Sequence, residues 1–252
     1  SPGLAERAAA LRHRMRPGWA HPHAGFEETR PRSLPLKANP HMHMLEASMA
    51  WLEVAPGLGW EALADEIAEL CLARFLTPGE GALREYFDGD WRPLAGPKES
   101  VVEPGHQFEW AWLLIRWGRW RQRPDAIAAA RRLIDIAEAS GVDLERGLAI
   151  NELNADLTPR DSLARLWPQT ERIKAFVALS MVAVDSEERT AAWGKAAAAA
   201  AGLRRFLDHP VSGAWWEHIG ADGVPLVEPT RASSLYHLTC AIAVMALGLQ
   251  FE

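Results

Sequence analysis

Helical segments joined alternately by short turns and by long irregular stretches are the feature of this 252-residue sequence that most restricts its fold. Apolar residues recur at helical spacing in segments such as 4–16, 59–76 and 124–140. Long stretches rich in proline and glycine, among them 17–39 and 79–105, follow every second helix. This alternation predicts helical hairpins arranged around a ring, with the long connections at one end, which is an (α/α) toroid.

The predicted architecture is therefore all-α, with about eight helices. The first helix should begin at an N-cap and first-turn proline, Ser1-Pro2. The other helices are predicted over 40–54, 105–122, 168–184, 187–207 and 232–249. A small β-hairpin is predicted around the turn Asp222-Gly223, which lies between apolar, strand-like residues.

Composition restricts the kinds of partner and the compartment. The net charge is -6, which argues against a nucleic-acid or anionic-membrane surface. The two cysteines, Cys71 and Cys240, both lie in apolar helical contexts and are predicted to be buried thiols of a reducing compartment, so we expect a cytoplasmic protein. The longest stretch without a charge, 232–251, contains polar residues and has no basic flank, so no membrane span is expected.

Two histidine–glutamate pairs with the same spacing, H-x-x-E, stand at the starts of helices that follow long loops. They are His43 with Glu46 and His106 with Glu109. Residues three apart share one helix face, so each pair can present an imidazole and a carboxylate to the same volume. Alternatively, each glutamate favours the helix dipole and each histidine caps a loop end. The repeat, together with His237 in an apolar last helix, favours a shared site.

The chemistry of such a site has two interpretations. Histidine and carboxylate on one helix face can hold a divalent ion. The tighter H-E-x-x-H spacing is absent here, and a carboxylate beside an imidazole can instead fix its tautomer for acid–base catalysis near neutral pH. We expect acid–base work, with no metal and no cofactor.

Two further sets of residues are candidates: those at the start of the helix that contains Glu171, and the remaining histidines. Trp167 and Glu171 begin a helix in W-P-Q-T-E, where the glutamate can bind hydroxyl groups or simply favour the first turn. His41 either lines the site or only flanks His43. Solvated positions are expected for His13, His21, His23, His209 and His218.

With these residues in place, the chain resembles the N-acylglucosamine 2-epimerase superfamily, which includes cellobiose 2-epimerases and bacterial mannose isomerases. The resemblance rests on the order and spacing of five segments across nearly the whole chain: N-P-H-M-H-M-L-E-A (39–47), E-P-G-H-Q-F-E-W-A-W-L-L (103–114), W-P-Q-T-E (167–171), G-A-W-W-E-H-I-G-A-D-G (213–223) and L-Y-H (235–237).

The resemblance implies an (α/α)6 barrel and proton transfer at C2 of an open-chain sugar through a cis-enediol(ate). It implies that His106 and His237 are the acid/base pair and that Glu109 supports His106. The pocket positions that it implies for substrate binding are Asn39, His43, Glu46, Trp110, Trp167 and Glu171.

One departure from the family pattern concerns the N-terminal part. Family members carry roughly four more helices there, with an arginine of the pocket, and nothing here matches them. Either residues 1–252 form an open barrel, or they are a single toroid domain making up the C-terminal two thirds of a longer family member, and we favour the second. In that case the chain should expose apolar surface of its inner helices.

The expected function is a sugar isomerase or epimerase, with a lean to mannose-type aldose–ketose isomerisation over N-acylglucosamine or cellobiose 2-epimerisation. Phosphate recognition by Arg30, Arg32 and Lys37 is open, although solvated loop charges are the favoured interpretation. A non-catalytic toroid that binds carbohydrate or protein, and a glycosidase or lyase using Glu109 and Glu171, are the alternatives. The expected partner is a small sugar, with a homodimer among the expected assemblies.

Overall fold

The computed structural model describes residues 3–79 and 81–249, so the predicted N-cap at Ser1-Pro2 lies outside the described residues. The chain divides into two compact units, Ser1–Val101 and Val102–Glu252.

Eight α-helices run through the described residues, and every predicted helix is present. They are α1 (Leu4–Trp19), α2 (Asn39–Val54), α3 (Trp60–Leu70), α4 (Pro104–Arg121), α5 (Pro124–Ser140), α6 (Leu166–Ser180), α7 (Ser186–Leu207) and α8 (Ala232–Gly248). The largest differences from prediction are at two C-terminal ends. Helix α3 passes into a π-helical turn at Cys71–Phe75, and α6 ends at Ser180 rather than at Val184.

In the first unit, α2 packs against α3. Helix α3 buries Trp60, Leu63, Ala64 and Ile67 along one face, which is the amphipathic pattern that the sequence predicts. The thiol of Cys71 is fully buried at the end of this helix, and burial raises its pKa well above the usual range. The expectation of a buried free thiol is thus confirmed for Cys71, while Cys240 in α8 is only half-buried.

The second unit is built around α4 and α6. Helix α6 packs against α4, α7 and α8, and α4 packs also against α5. Both are buried on nearly every side, since α4 is buried without interruption from Pro104 to Ile115 and in α6 only Trp167 and Leu179 are not fully buried. Helices enclosed in this way are the inner helices of an α/α arrangement, and they can carry polar side chains only where those find partners.

Helices α5 and α7 are the outer members of this unit. Small residues of α7, Ala192, Ala196 and Ala199, are buried at helical spacing, so the alanine run brings this helix close to its neighbour. Asp185 caps α7 by accepting a hydrogen bond from the backbone N–H of Glu188.

The strands are short and belong to the connections. They are β1 (Leu36–Lys37), β2 (Tyr86–Phe87), β3 (Val101–Val102), β4 (Val142–Asp143), β5 (Leu148–Ala149), β6 (Glu152–Asn154), β7 (Pro159–Asp161), β8 (Ala164–Arg165) and β9 (His218–Ile219). Antiparallel pairs form between β1 and β2, β4 and β5, β6 and β7, and β8 and β9.

The predicted hairpin is present around Gly223, whose φ of 79° suits the turn. Ile219 forms an antiparallel bridge with Pro225 across this turn. The structure adds a partner that the sequence did not predict, because β9 also pairs with β8, with Arg165 opposite His218. This pairing ties the hairpin to the start of α6.

Helix α8 has an apolar face that is open to solvent. Its exposed large side chains are Leu235, Tyr236, Ile242 and Leu247. Among residues 3–79 and 81–249, no helix combines the length and the apolar character that a membrane span requires.

Candidate active site

The start of α4 positions the first histidine. Glu103 has extended backbone angles at the N-cap, and Pro104 takes the first helical position, where its fixed φ favours helix initiation. His106 follows in the first turn and is 8% exposed. Its Nδ1 lies 3.8 Å from Glu103 Oε2, so a carboxylate that the sequence analysis did not single out stands beside this ring.

The start of α6 places an indole close to two imidazoles. The ring centroid of Trp167 lies 5.1 Å from that of His106 and 5.5 Å from that of His237. Gly105 makes the approach on the His106 side feasible, because a Cβ at this position would lie 2.4 Å from Trp167 Cη2. Three residues that the sequence predicted for the site are thus brought together from α4, α6 and α8.

His237 is oriented by a carboxylate of the neighbouring helix. Its Nδ1 lies 2.8 Å from Glu171 Oε1. An ionised carboxylate can only accept hydrogen bonds, so Nδ1 carries a proton and donates it, and in a neutral ring the lone pair is then on Nε2. The His237 side chain is 15% exposed, whereas the Glu171 side chain has no exposed surface.

Glu171 is held in its ionised form inside the protein. Burial by itself opposes ionisation, but the Lys174 ammonium and the hydrogen bond from His237 outweigh it, so the pKa of Glu171 lies below its usual range. Lys174 Nζ lies 2.6 Å from Glu171 Oε2. Both oxygens of Glu171 thus face protein groups, which places this carboxylate next to His237. Its contact with substrate hydroxyls stays a prediction.

Glu109 belongs to the same cluster. It is fully buried, and its carboxylate, that of Glu171 and an imidazole nitrogen of His237 all lie within 4.8 Å of one another. Three such groups could hold a metal ion by spacing alone. The ammonium of Lys174 already supplies a cation to Glu171, however, so the donor set is better suited to a proton-linked network.

The second predicted pair lies in the first unit. His43 is exposed and Glu46 is 8% exposed, and their ligand atoms lie within 4.8 Å of each other, as expected for residues that share one face of α2. Asn39 is exposed at the start of this helix. Trp110, on α4 in the second unit, has no exposed surface, which is the environment of a core residue.

His41 has a structural environment. Its Nδ1 lies 2.9 Å from the carbonyl oxygen of Lys37, and its Nε2 accepts a hydrogen bond from the backbone N–H of Phe26 at 2.9 Å. Both ring nitrogens are satisfied by the backbone in a single neutral tautomer. Burial lowers the pKa of His41 to about 4.

The expectation of a solvated His21 is wrong. This residue is 5% exposed, and its Nδ1 accepts a hydrogen bond from the indole N–H of Trp91 at 3.1 Å. Burial also lowers the pKa of His21. Sequence context misled the prediction because a loop is assumed to be exposed, whereas Trp91 folds over this one. His218 also departs from that expectation, since it is part of β9 and pairs with Glu228.

Two of the three basic residues considered for phosphate recognition, Arg32 and Lys37, have acidic neighbours. Arg32 Nε lies 2.9 Å from Glu27 Oε2, and Lys37 Nζ lies 2.8 Å from Glu28 Oε1. Such pairs balance the charge of the loop locally, in keeping with the favoured interpretation of loop charges.

Sequence reasoning missed Lys174. Its signal was present, because a lysine three residues after Glu171 stands in an otherwise apolar stretch, I-K-A-F-V-A-L. Helical spacing puts the two side chains on one face. What the sequence alone did not show is that this face points into the interior.

The fold and the cluster of histidine and carboxylate groups together define an α/α-toroid protein with a candidate acid–base site. Residues 4–241 match the N-acylglucosamine 2-epimerase (GlcNAc 2-epimerase) family, and the chain belongs to that family. The resemblance seen in the sequence is thereby confirmed.

Individual relatives and solved structures show how similar the chain is to particular proteins. The chain is 46% identical over 238 residues to a mannose-6-phosphate isomerase of Rhizobium meliloti (strain 1021), which covers 94% of this chain and 61% of that protein. A crystal structure of a D-mannose isomerase superposes with a TM-score of 0.80 at 20% identity, covering 99% of this chain and 68% of that one. The cellobiose 2-epimerase of Spirochaeta thermophila DSM 6192 gives 0.72 at 20% identity, covering 92% and 61%. These two structural likenesses show the (α/α)-barrel type of fold.

Proposed function

We propose that this chain carries the acid–base site of a sugar isomerase of the mannose type, which interconverts an aldose and a ketose. The observation that carries the proposal is that His106 and His237 both lie close to Trp167, with ring centroids 5.1 Å and 5.5 Å from that of the indole. The mannose-6-phosphate isomerase relative, at 46% identity, supports the substrate class.

The proposed reaction is a proton transfer within an open-chain sugar. A neutral imidazole removes the proton from C2, the electron pair of that C–H bond forms the C1–C2 double bond, and the carbonyl oxygen at C1 takes up a proton to give a cis-enediol(ate). Protonation of C1 with loss of the O2 proton gives the ketose, and protonation of the other face of C2 with loss of the O1 proton gives the epimer. Two histidines in one site can serve as the donor and the acceptor of these protons.

The roles of individual residues follow from their surroundings. His237, with Nδ1 donating to Glu171, has Nε2 as its base, and His106 beside Glu103 is its counterpart. Trp167 is the apolar platform for the sugar. Glu109 was expected to support His106, and its position within 4.8 Å of Glu171 and His237 adds a role on the His237 side.

Several earlier expectations stay predictions. They concern the substrate contacts of Asn39, His43, Glu46 and Trp110, a homodimer, a cytoplasmic location, and the assignment of residues 1–252 to a single toroid domain of a longer family member. The chain spans 61% of the length of the Rhizobium relative, so the activity of the whole protein is part of the proposal. Epimerisation of N-acylglucosamine or cellobiose is the alternative within the family.

The test is hydrogen exchange at the sugar. The chain is incubated in deuterated water with mannose, mannose 6-phosphate, N-acetylmannosamine or cellobiose, and deuterium at C1 and C2 is followed by NMR. We expect exchange and ketose formation with a mannose-type sugar, lost in His106→Ala and His237→Ala and kept in His13→Ala, which changes an exposed histidine of α1.

Other outcomes separate the alternatives. Epimers without ketose would favour a 2-epimerase. Cleavage products would favour a glycosidase or lyase. A folded chain that exchanges no proton of any of these sugars would contradict the proposal and favour a non-catalytic, carbohydrate- or protein-binding toroid.

A further inference from the structure

Lys174 is a charged side chain with no exposed surface in the middle of the helical core. It lies in the third position after Glu171 on α6, with its Nζ 2.6 Å from Glu171 Oε2. Its ammonium also lies over the ring of Trp112, 3.9 Å from the centroid, where the ring face attracts a cation. A buried ion pair of this kind adds little to stability compared with an apolar pair, so its presence calls for another explanation.

We propose that Lys174 is a positioning residue for His237: its ammonium balances the charge of Glu171, so that this carboxylate orients the imidazole without holding it as imidazolium. The orienting part rests on the geometry of α6 and α8. The part that concerns catalysis rests on the proposed function.

The charges around Glu171 support this role. It faces Lys174 from its own helix, His237 from α8 and Glu109 from α4. A carboxylate beside an imidazole favours the protonated ring, and a second carboxyl group nearby adds to that effect. A cation on the far oxygen of Glu171 opposes it. A ring that is to remove a proton from carbon near neutral pH must be neutral, and Lys174 favours that form.

The two carboxylate oxygens of Glu171 contact different groups. Oε1 accepts from His237 Nδ1 and Oε2 faces Lys174 Nζ, so the carboxylate is held at both ends. The direction of the Glu171 pKa, below its usual range despite burial, agrees with the presence of a nearby cation.

The test is an NMR titration of the histidine rings in the 252-residue chain, with the His237 signal assigned by its loss in His237→Gln. Two neutral variants, Lys174→Met and Lys174→Gln, are compared with the unmodified chain. Glu171 and His237 interact strongly, so the pH midpoint of their proton uptake is a property of the pair and not of either residue alone. We expect this midpoint to move to higher pH by about one unit or more in both variants.

A matched control lies two residues away on the same helix. Arg172 is also buried, but it pairs with Glu138, on α5. In Arg172→Met the Glu138 carboxylate still has a cationic partner, because Lys195 also pairs with it. Arg172→Met should leave the pH midpoint of the His237 titration unchanged. An unchanged titration in both Lys174 variants, or an equal shift in Arg172→Met, overturns the proposal.

The same samples separate this inference from the proposed function. If the unmodified chain exchanges sugar protons, Lys174→Met should move the pH profile of the exchange upward by the shift seen in the titration, with kcat changed more than KM. If the titration shifts as expected but no sugar exchanges, the proposed function fails and the electrostatic role stands. If sugar protons exchange but neither the titration nor the pH profile shifts in the Lys174 variants, the proposed function stands and the role proposed for Lys174 is wrong.

The unmodified chain supplies a further check should the Lys174 variants not fold. Nitrogen NMR of His237 at about pH 8 should show a neutral ring protonated at Nδ1. A ring that is still imidazolium under these conditions overturns the proposal.

Discussion

His237 Nδ1 and Glu171 Oε1 lie 2.8 Å apart, although 66 positions separate the two residues in the chain. The contact joins α8 to α6 and connects a partly exposed imidazole to a carboxylate that has no exposed surface. A ring oriented in this way has a defined tautomer, and its second nitrogen is the one available to a substrate. This relationship underlies the first prediction.

Glu171→Gln should lower the rate of deuterium exchange at C2 by about a hundredfold, because an amide no longer fixes the Nδ1–H tautomer by acting as an acceptor only. The measurement is exchange into the sugar under the conditions described above, together with the nitrogen NMR spectrum of His237. Glu138→Gln, which removes a carboxylate paired with Arg172 and Lys195, is the matched control and should keep the rate. Equal rates in the unmodified chain and Glu171→Gln would show that Glu171 does not act through His237.

Gly105→Ala should disturb the indole of Trp167, which lies close to both histidines. Its added Cβ would lie 2.4 Å and 2.5 Å from ring atoms of Trp167 and 3.1 Å from the Cβ of Pro168, so the ring must move. We expect lower exchange activity and a changed NMR environment of His106. Gly194→Ala is the control, because a Cβ at this helical position in α7 meets nothing within 4 Å and should stabilise the chain by about 1 kcal/mol. Unaltered exchange in Gly105→Ala would argue against a fixed position of Trp167.

Trp167→Ala should weaken substrate binding more than it weakens the chemical step. Removal of the indole takes away an apolar platform, an effect of about 1.4 kcal/mol or a tenfold rise in KM. Trp167→Phe keeps an aromatic face and should show a smaller rise. Initial rates over a range of sugar concentrations separate KM from kcat. A KM that does not change in Trp167→Ala would place the sugar elsewhere.

His41 should make the stability of the chain depend on pH. Its pKa is about 4 in the folded chain and about 6.5 in an unfolded one, so between these values the unfolded chain binds more protons. The contribution is fully present above about pH 6.5 and is lost as pH falls toward about 4, with a total of about 3 kcal/mol. Urea unfolding from pH 4 to pH 8 measures it.

The control for this experiment is a second histidine variant. His41→Gln should flatten the slope of unfolding free energy against pH in this window, whereas His13→Gln, on exposed α1, should leave it as in the unmodified chain. Carboxylates titrate in the same range, so only the difference between the two variants is attributed to His41. Equal slopes would show that His41 is not buried in the neutral form.

The candidate site was predicted in part. The sequence identified His106, Trp167, Glu171 and His237, because histidines and carboxylates at the starts of apolar helices are conspicuous. It did not show that Glu171 acts behind His237, since that depends on which face of α6 meets α8. Lys174 was missed for the same reason, as a lysine is assumed to be solvated unless its helix is enclosed.

Local features of the sequence by themselves determined the helices, their approximate ends and the all-α class. Hydrophobic periodicity and the positions of Pro and Gly act over a few residues. The interactions that form a turn or a helix can therefore be predicted from the local sequence. Tertiary structure alone decided that β9 pairs with β8, that His21 and His41 are buried, and that Lys174 and Glu171 share a fully buried contact. Burial and hydrogen-bond partners across tens of residues arise from packing, which sets the dielectric environment and hence the protonation of each group.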